Sequence, residues 1–263
     1  MSKKLGLALG SGGSRGVTHL GVLKALEEEG IRPDYIAGCS MGSVVGACYA
    51  NGMTVERMLS TVRKLKTVHL MDFAVLPEPR PGFFKGEKMQ NLLLKNIGDV
   101  TFDELTIPFC CVATDLLSGQ TILLNKGKVA PCVRASSTIP IIFKPLEMDG
   151  MMLVDGGVLC RVPTEQVKAM GADVVIAVDA LANSYVPVKE VKGMIVMVLR
   201  MFDVMDNNAL NMKKKLTADT FDLWLAPEIK DMNQYSMKDI ERAYEEGYAV
   251  TKANMDKIKQ LLK

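Results

Sequence analysis

Histidine is nearly missing from this chain, with only His19 and His69 in 263 residues. No stretch approaches the roughly 20 consecutive apolar residues of a membrane-spanning helix. The formal net charge is only +2 and no long basic block is present, so the electrostatic footprint of a nucleic-acid-binding protein is absent. The six cysteines, at 39, 48, 110, 111, 132 and 160, never take C-x-x-C or paired Cys/His spacing. A disulfide framework fits poorly, and the thiols read as small buried hydrophobes of a reduced cytoplasmic protein. No G-K-[ST] triplet marks a P-loop, and no D-x-[DN]-x-[DN]-G calcium loop occurs. Repeats, low-complexity tracts and linkers are lacking too. The apolar run at 5–9 is too short and glycine-broken for a signal peptide. These absences lead to an expectation of one domain over 1–263, with no metal and no cofactor.

What is present is an ordinary globular composition, 48% hydrophobic and 24% charged, with alternating strand and helix signals. Residues 5–9 read as a buried first strand, 17–29 as a helix with Leu20, Leu23, Ala25 and Leu26 on its apolar face, and 35–38 as a second strand. A buried helix follows through residue 50. This β-loop-α-β-turn-α order argues for a parallel sheet with helices packed on it. Thr54 is placed to cap a helix to about residue 66. Further helices are expected at 86–97 and 129–137, with strands at 109–114 and 121–124. Asp149-Gly150 signals a hairpin leading into a strand at 151–154. Pro163 can open another helix, and the uninterrupted apolar run at 173–180 fits a strand covered on both faces. The apolar, proline-punctuated segment 71–84 is a candidate either to border a lipid entrance or to be a plain connector packed on the core, and 141–143, bracketed by Pro140 and Pro145, is a candidate pocket lining. A methionine-rich helix at 191–216 is expected to be buried or to face a partner, ahead of a lipid-docking role. The chain closes with a strand at 221–226 and one amphipathic helix at 236–262.

Chemistry concentrates at glycines. Gly38-Cys39-Ser40-Met41-Gly42 is a G-x-S-x-G pattern between a strand and a helix, the context in which a sharp turn exposes a serine nucleophile. The helix that follows points its positive end toward the serine. Upstream, Gly10-Ser11-Gly12-Gly13-Ser14-Arg15-Gly16 fails the dinucleotide fingerprint, because Arg15 stands where the third glycine belongs and no acid ends the second strand. An oxyanion-stabilising loop and a plain tight turn both remain open for it. A serine nucleophile needs a base. Neither histidine follows a late strand, where α/β-hydrolases place theirs, so a Ser-His-Asp triad stays open but lacks a natural candidate. Asp155, at a strand end beside Gly156 and Gly157, is better placed. Its ordinary pKa near ~3.9 would have to be raised by burial for base work at neutral pH. The alternative is an unadorned Asp-Gly turn.

Taken together, the glycine loop, the serine elbow and Asp155-Gly156-Gly157, with 134–140 and Val162-Pro163, resemble the patatin-like phospholipase family, particularly its compact bacterial members, over roughly residues 4–180. The resemblance implies a three-layer α/β/α fold with a mostly parallel central sheet. It also implies a Ser-Asp dyad, with Ser40 as nucleophile, Asp155 as base and Gly38 and Gly42 framing the elbow. The amides around Gly12, Gly13 and Ser14 would form the oxyanion hole, and Arg15 would brace the loop. Two departures stand out. Ser11 replaces a common glycine, and Cys160-Arg161 occupies positions where asparagines are frequent, which leaves open what supports Asp155.

The expected function is hydrolysis of lipid acyl esters, such as phospholipids or lysophospholipids. The expected partners are the lipid substrate and, transiently, a membrane surface; self-association is compatible with the sequence. A second reading, motivated by the methionine-rich helix and the modest charge, is a regulatory or adaptor protein that keeps the fold and binds a lipid or protein without turnover.

Overall fold

Side-chain size alternates along the first strand, β1 (Leu5–Leu9), although all five residues are buried. Leu5, Leu7 and Leu9 enter one large apolar core, and Ala8 enters a smaller one on the opposite face. The computed structural model describes residues 3–65, 84–182, 190–229, 232–234 and 236–263. The same division recurs in β2 (Tyr35–Gly38), β3 (Phe109–Asp115) and β7 (Val174–Val178). Ile36, Cys111, Ala113 and Ile176 lie on the large-core side, and Ala37, Cys110, Val175 and Ala177 on the other. Opposite faces of a strand follow a period of two, so bulky and small positions sort helices onto two sides of one sheet.

The strand order is β5-β6-β3-β2-β1-β7-β8, with β4 (Gln120–Leu124) also paired to β3. β3, β2, β1, β7 and β8 (Leu223–Leu225) run parallel. β4, the short β5 (Leu146–Met148) and β6 (Met151–Asp155) add antiparallel pairs at one side. The hairpin joining β5 and β6 turns at Asp149 and Gly150, both at positive φ (50° and 77°), as a type I′ turn demands. The sheet is therefore mixed, with a parallel centre.

The large core is closed by α1 (Thr18–Glu28), α2 (Met41–Ala50), α3 (Val55–Lys64), α4 (Glu87–Ile97), α5 (Val129–Ser136), α8 (Ile240–Ala253) and α9 (Met255–Leu262). On the other face, α6 (Thr164–Ala169) supplies Val167 to the small core and α7 (Met194–Leu216) packs Leu210 against it. Helices thus cover both sides of the sheet, in the layered arrangement expected.

Several expectations need correction. The first helix is preceded by a 3₁₀ turn over Gly13–Val17, so the glycine loop itself is partly helical. The C-terminal helix is two helices, broken at Asn254. The methionine-rich helix is not buried: Met194, Met201, Met205 and Met212 are all more than half exposed. His69 and residues 71–83 of the proline-rich segment lie outside the described residues.

Candidate active site

Three chain turns bring the predicted residues together, two at the carboxyl ends of the parallel strands β1 and β2 and one at the end of the antiparallel strand β6. β2 ends at Gly38, and Ser40 follows at φ 52°, ψ −124°. A non-glycine residue with positive φ carries backbone strain, and such strain concentrates at functional sites. It is held here by hydrogen bonds on both sides. Cys39 N–H donates to Leu9 O at 2.9 Å. Ser40 N–H donates to Ser136 Oγ at 3.1 Å, and Ser43 Oγ donates back to Ser40 O at 2.6 Å. A Cβ at Gly42 would run into the carbonyl of Leu9, so the elbow closes against β1 only because that position has no side chain.

Asp155 ends β6, and its N–H donates to Thr138 O at 2.8 Å. Its Oδ1 accepts from Gly157 N–H at 2.8 Å, and its Oδ2 accepts from Ser40 Oγ at 2.6 Å. Ser40 and Asp155 are only 6% and 7% exposed. Burial pushes the Asp155 carboxyl up to about 6, outweighing the opposing hydrogen bonds from Ser40 and Gly157. The nearby Asp206 carboxylate pushes in the same upward direction. Behind this pair, Cys39 Sγ lies 3.1 Å from Ser11 Oγ and 3.9 Å from Asp155 Oδ1.

The glycine loop meets the site selectively. Gly12 and Gly13 line the same cavity as Ser40 and Asp155, and among the described residues their N–H groups donate to no protein acceptor. Ser14 differs from the expectation, because its N–H is already donated to Gln234 O at 2.9 Å. Arg15 points to the chain beyond α7, with Nε donating to Met232 O at 2.8 Å. Gly13 sits at φ 52°, and a Cβ there would strike Gln234 O, so this loop depends on glycine for both conformation and space. His19 is fully buried, with Nε2–H donated to Gly10 O at 2.8 Å. Burial lowers its pKa to about 4. It is a neutral brace beneath the loop.

The cavity holds about 390 Å³. Its remaining walls are largely apolar, with Ile139, Pro140, Val158, Leu159, Leu181, Leu199, Phe202 and Met205 among the lining residues. Of the two proline-punctuated segments, 141–143 contributes nothing to this lining; its preceding residues Ile139 and Pro140 do. A serine hydroxyl bonded to a buried carboxylate, two free amides and an apolar cavity together suit acyl transfer from a hydrophobic ester.

The family model for patatin-like phospholipase matches residues 7–168, which takes in the glycine loop, the elbow and Asp155-Gly156-Gly157. The chain belongs to the patatin-like phospholipase family. It is 37% identical over 179 residues to an uncharacterized NTE family protein of Mycobacterium tuberculosis, a match covering 67% of this chain and 49% of that protein. It is 35% identical over 180 residues to the lysophospholipase nte1 of Aspergillus fumigatus, covering 67% of this chain and 12% of that protein. The chain therefore spans about half the length of the first relative and a small part of the second. The fold is similar to that of VipD from Legionella pneumophila, with a TM-score of 0.62 at 14% identity over 97% of this chain and 67% of that one.

Sequence reasoning missed three supports that this family member uses. Ser136 and Thr138 brace the Ser40 and Asp155 backbones, and only their place in the family-like stretch 134–140 marked them. The main chain of Arg161 supports the glycine loop by accepting Ser11 N–H at 2.9 Å. Its guanidinium binds Asp179 Oδ1 at 2.6 Å and Asp206 Oδ2 at 2.7 Å. α7 is thus tied to the carboxyl end of β7 through one buried arginine. No local signal predicts that link, because the three residues are far apart in sequence.

Proposed function

We propose that this protein is a serine hydrolase of lipid acyl esters that works through Ser40 and Asp155. Asp155 Oδ2 takes the Ser40 hydroxyl proton as Oγ bonds to the ester carbonyl carbon, and the Gly12 and Gly13 N–H groups receive the resulting oxyanion. Collapse of this intermediate expels the alcohol, which takes the proton back from Asp155, and leaves an acyl-Ser40. Water then attacks the acyl carbonyl, its proton passing to Asp155. The second collapse releases the fatty acid and returns that proton to Ser40 Oγ. The observation that carries this reading is the 2.6 Å Ser40–Asp155 hydrogen bond at an apolar cavity, with the Asp155 pKa at about 6. A base poised near the working pH is what proton transfer favours.

Membership of the family supports a lipid ester as substrate, and the relative named as a lysophospholipase adds lysophospholipids to the candidates. The test is hydrolysis of p-nitrophenyl acyl esters by wild type, Ser40→Ala and Asp155→Asn, together with fluorophosphonate labelling. Activity and labelling are expected for wild type and neither for Ser40→Ala. Equal rates from all three folded proteins would sink the proposal, and an unlabelled, inactive wild type would favour a binding protein that retains the fold.

A further inference from the structure

α7 is apolar on two sides: Leu210 packs against the small core and Leu199 lines the cavity, while a second apolar face has no cover, unlike that of an ordinary surface helix. Its two acids face inward: Asp203 accepts from Gln234 Nε2 and Asp206 pairs with Arg161. Met194, Met197, Met201, Met205, Met212 and Leu216 face outward, each between 49% and 80% exposed. At 100° per residue their spacing keeps them on one face, in a stripe about 33 Å long. A contiguous exposed apolar patch marks an interaction surface.

Two observations bear on what would cover the stripe. Met205 belongs both to it and, with Phe202, to the wall of the cavity that opens on Ser40. A second copy of the chain seated on the stripe would cover that mouth, whereas a bilayer would cover it with acyl chains. The charges agree. Apart from the two inward acids, every charged residue of α7 is basic: Arg200, Lys213, Lys214 and Lys215. Lys213 pairs with Glu165 and Lys214 lies over the Trp224 ring. That leaves Lys215, on the side of the stripe by helical spacing, as the lysine placed for headgroups. Lysine stems lie along apolar surface while their ammonium groups reach headgroups, and flexible methionines conform to a fluid surface.

We propose that α7 is a membrane-docking helix that lies in the interface of an anionic bilayer and sets the cavity mouth against the lipids. The choice of occupant rests on reading the cavity as a lipid-ester site.

Flotation with equimolar phosphatidylcholine–phosphatidylglycerol vesicles tests the idea in the full chain carrying Ser40→Ala, so that binding is read without turnover. Met194→Gln, Met197→Gln, Met201→Gln and Met212→Gln are then combined. These four side chains are exposed and none lines the cavity, so soluble-ester hydrolysis by the Ser40 form should be unchanged. The parent is expected to float, and the combined variant to lose at least about tenfold in partitioning. Lys215→Ser should weaken binding to these vesicles but not to pure phosphatidylcholine. Equal flotation of parent and combined variant overturns the proposal, as does a parent that does not float. A parent dimer that the four substitutions dissociate in sedimentation velocity also overturns it, assigning the stripe to a second copy. Intact flotation with no ester hydrolysis by the Ser40 form would reject the hydrolase reading while leaving the docking surface supported.

Discussion

Arg161 Nη1 donates to Asp206 Oδ2 at 2.7 Å, and that carboxylate in turn raises the pKa of Asp155. The contact that fastens α7 over the cavity therefore also tunes the proposed base. Asp206→Asn removes the negative charge while keeping an acceptor, so the acidic limb of the kcat/KM profile should move to lower pH. Stability should fall by about 1–2 kcal/mol from the weakened charged hydrogen bond. Cys39→Ala should move the limb the other way, because the Cys39 thiol favours the ionised form of Asp155. Opposite shifts in a pH–rate series check both.

Wild-type kcat/KM should rise as pH increases through about 6, the value to which burial pushes Asp155. Titration of initial rates on a soluble ester between pH 4 and pH 8, on the order of four units, covers the transition in the free enzyme. A limb near the ordinary carboxylate value would contradict a buried Asp155 base.

The same burial costs stability. The folded-state pKa of Asp155 lies at about 6 and the ordinary value at 3.8, so the folded protein holds the proton more tightly. Its stability contribution is fully present below about 3.8 and is lost as pH rises to about 6. At about 1.4 kcal/mol per unit the loss amounts to up to about 3 kcal/mol. Asp155→Asn should thus be inactive yet more resistant to urea than wild type at neutral pH, with the difference shrinking in acid.

Gly13→Ala should lower kcat by about 10²–10³-fold, the usual scale for losing an oxyanion donor. It should also lower the melting temperature, since a Cβ meets Gln234 O at a positive-φ position. Ser14→Ala should change kcat only a few-fold, because it keeps the Ser14 N–H on Gln234 O and removes only the hydroxyl, which donates to Asn233 O away from the reacting atoms. Steady-state kinetics with thermal melts of the two variants separates these outcomes.

The parts legible in the sequence were those written locally. A strand, a glycine-framed serine and a helix specify the elbow within a dozen residues, and Asp155-Gly156-Gly157 is similarly compact. The β1–α1–β2–α2 order followed from periodicity and glycine punctuation. Of the two settings expected for α7, burial failed because periodicity identifies an apolar face without saying which side of the helix meets the protein; the inward placement of Asp203 and Asp206 depends on Gln234 and Arg161. The commitment of the Ser14 amide was equally hidden, since its acceptor, Gln234 O, lies 220 residues away. Asn254, where the last helix breaks, is a much weaker stop signal than glycine or proline.

Ser40 follows β2 and Asp155 ends β6, and between those two strands lies β3. Strand β3 is therefore a gauge block. Its thickness, two interstrand steps of about 4.8 Å, sets how far apart the serine and the acid begin, and their side chains span the remainder. Gly38 is in register with Cys111, and Asp155 with Ala113. A bulge or a one-residue slip in β3 would put the hydroxyl and carboxylate out of reach of each other, with every residue of the site still in place.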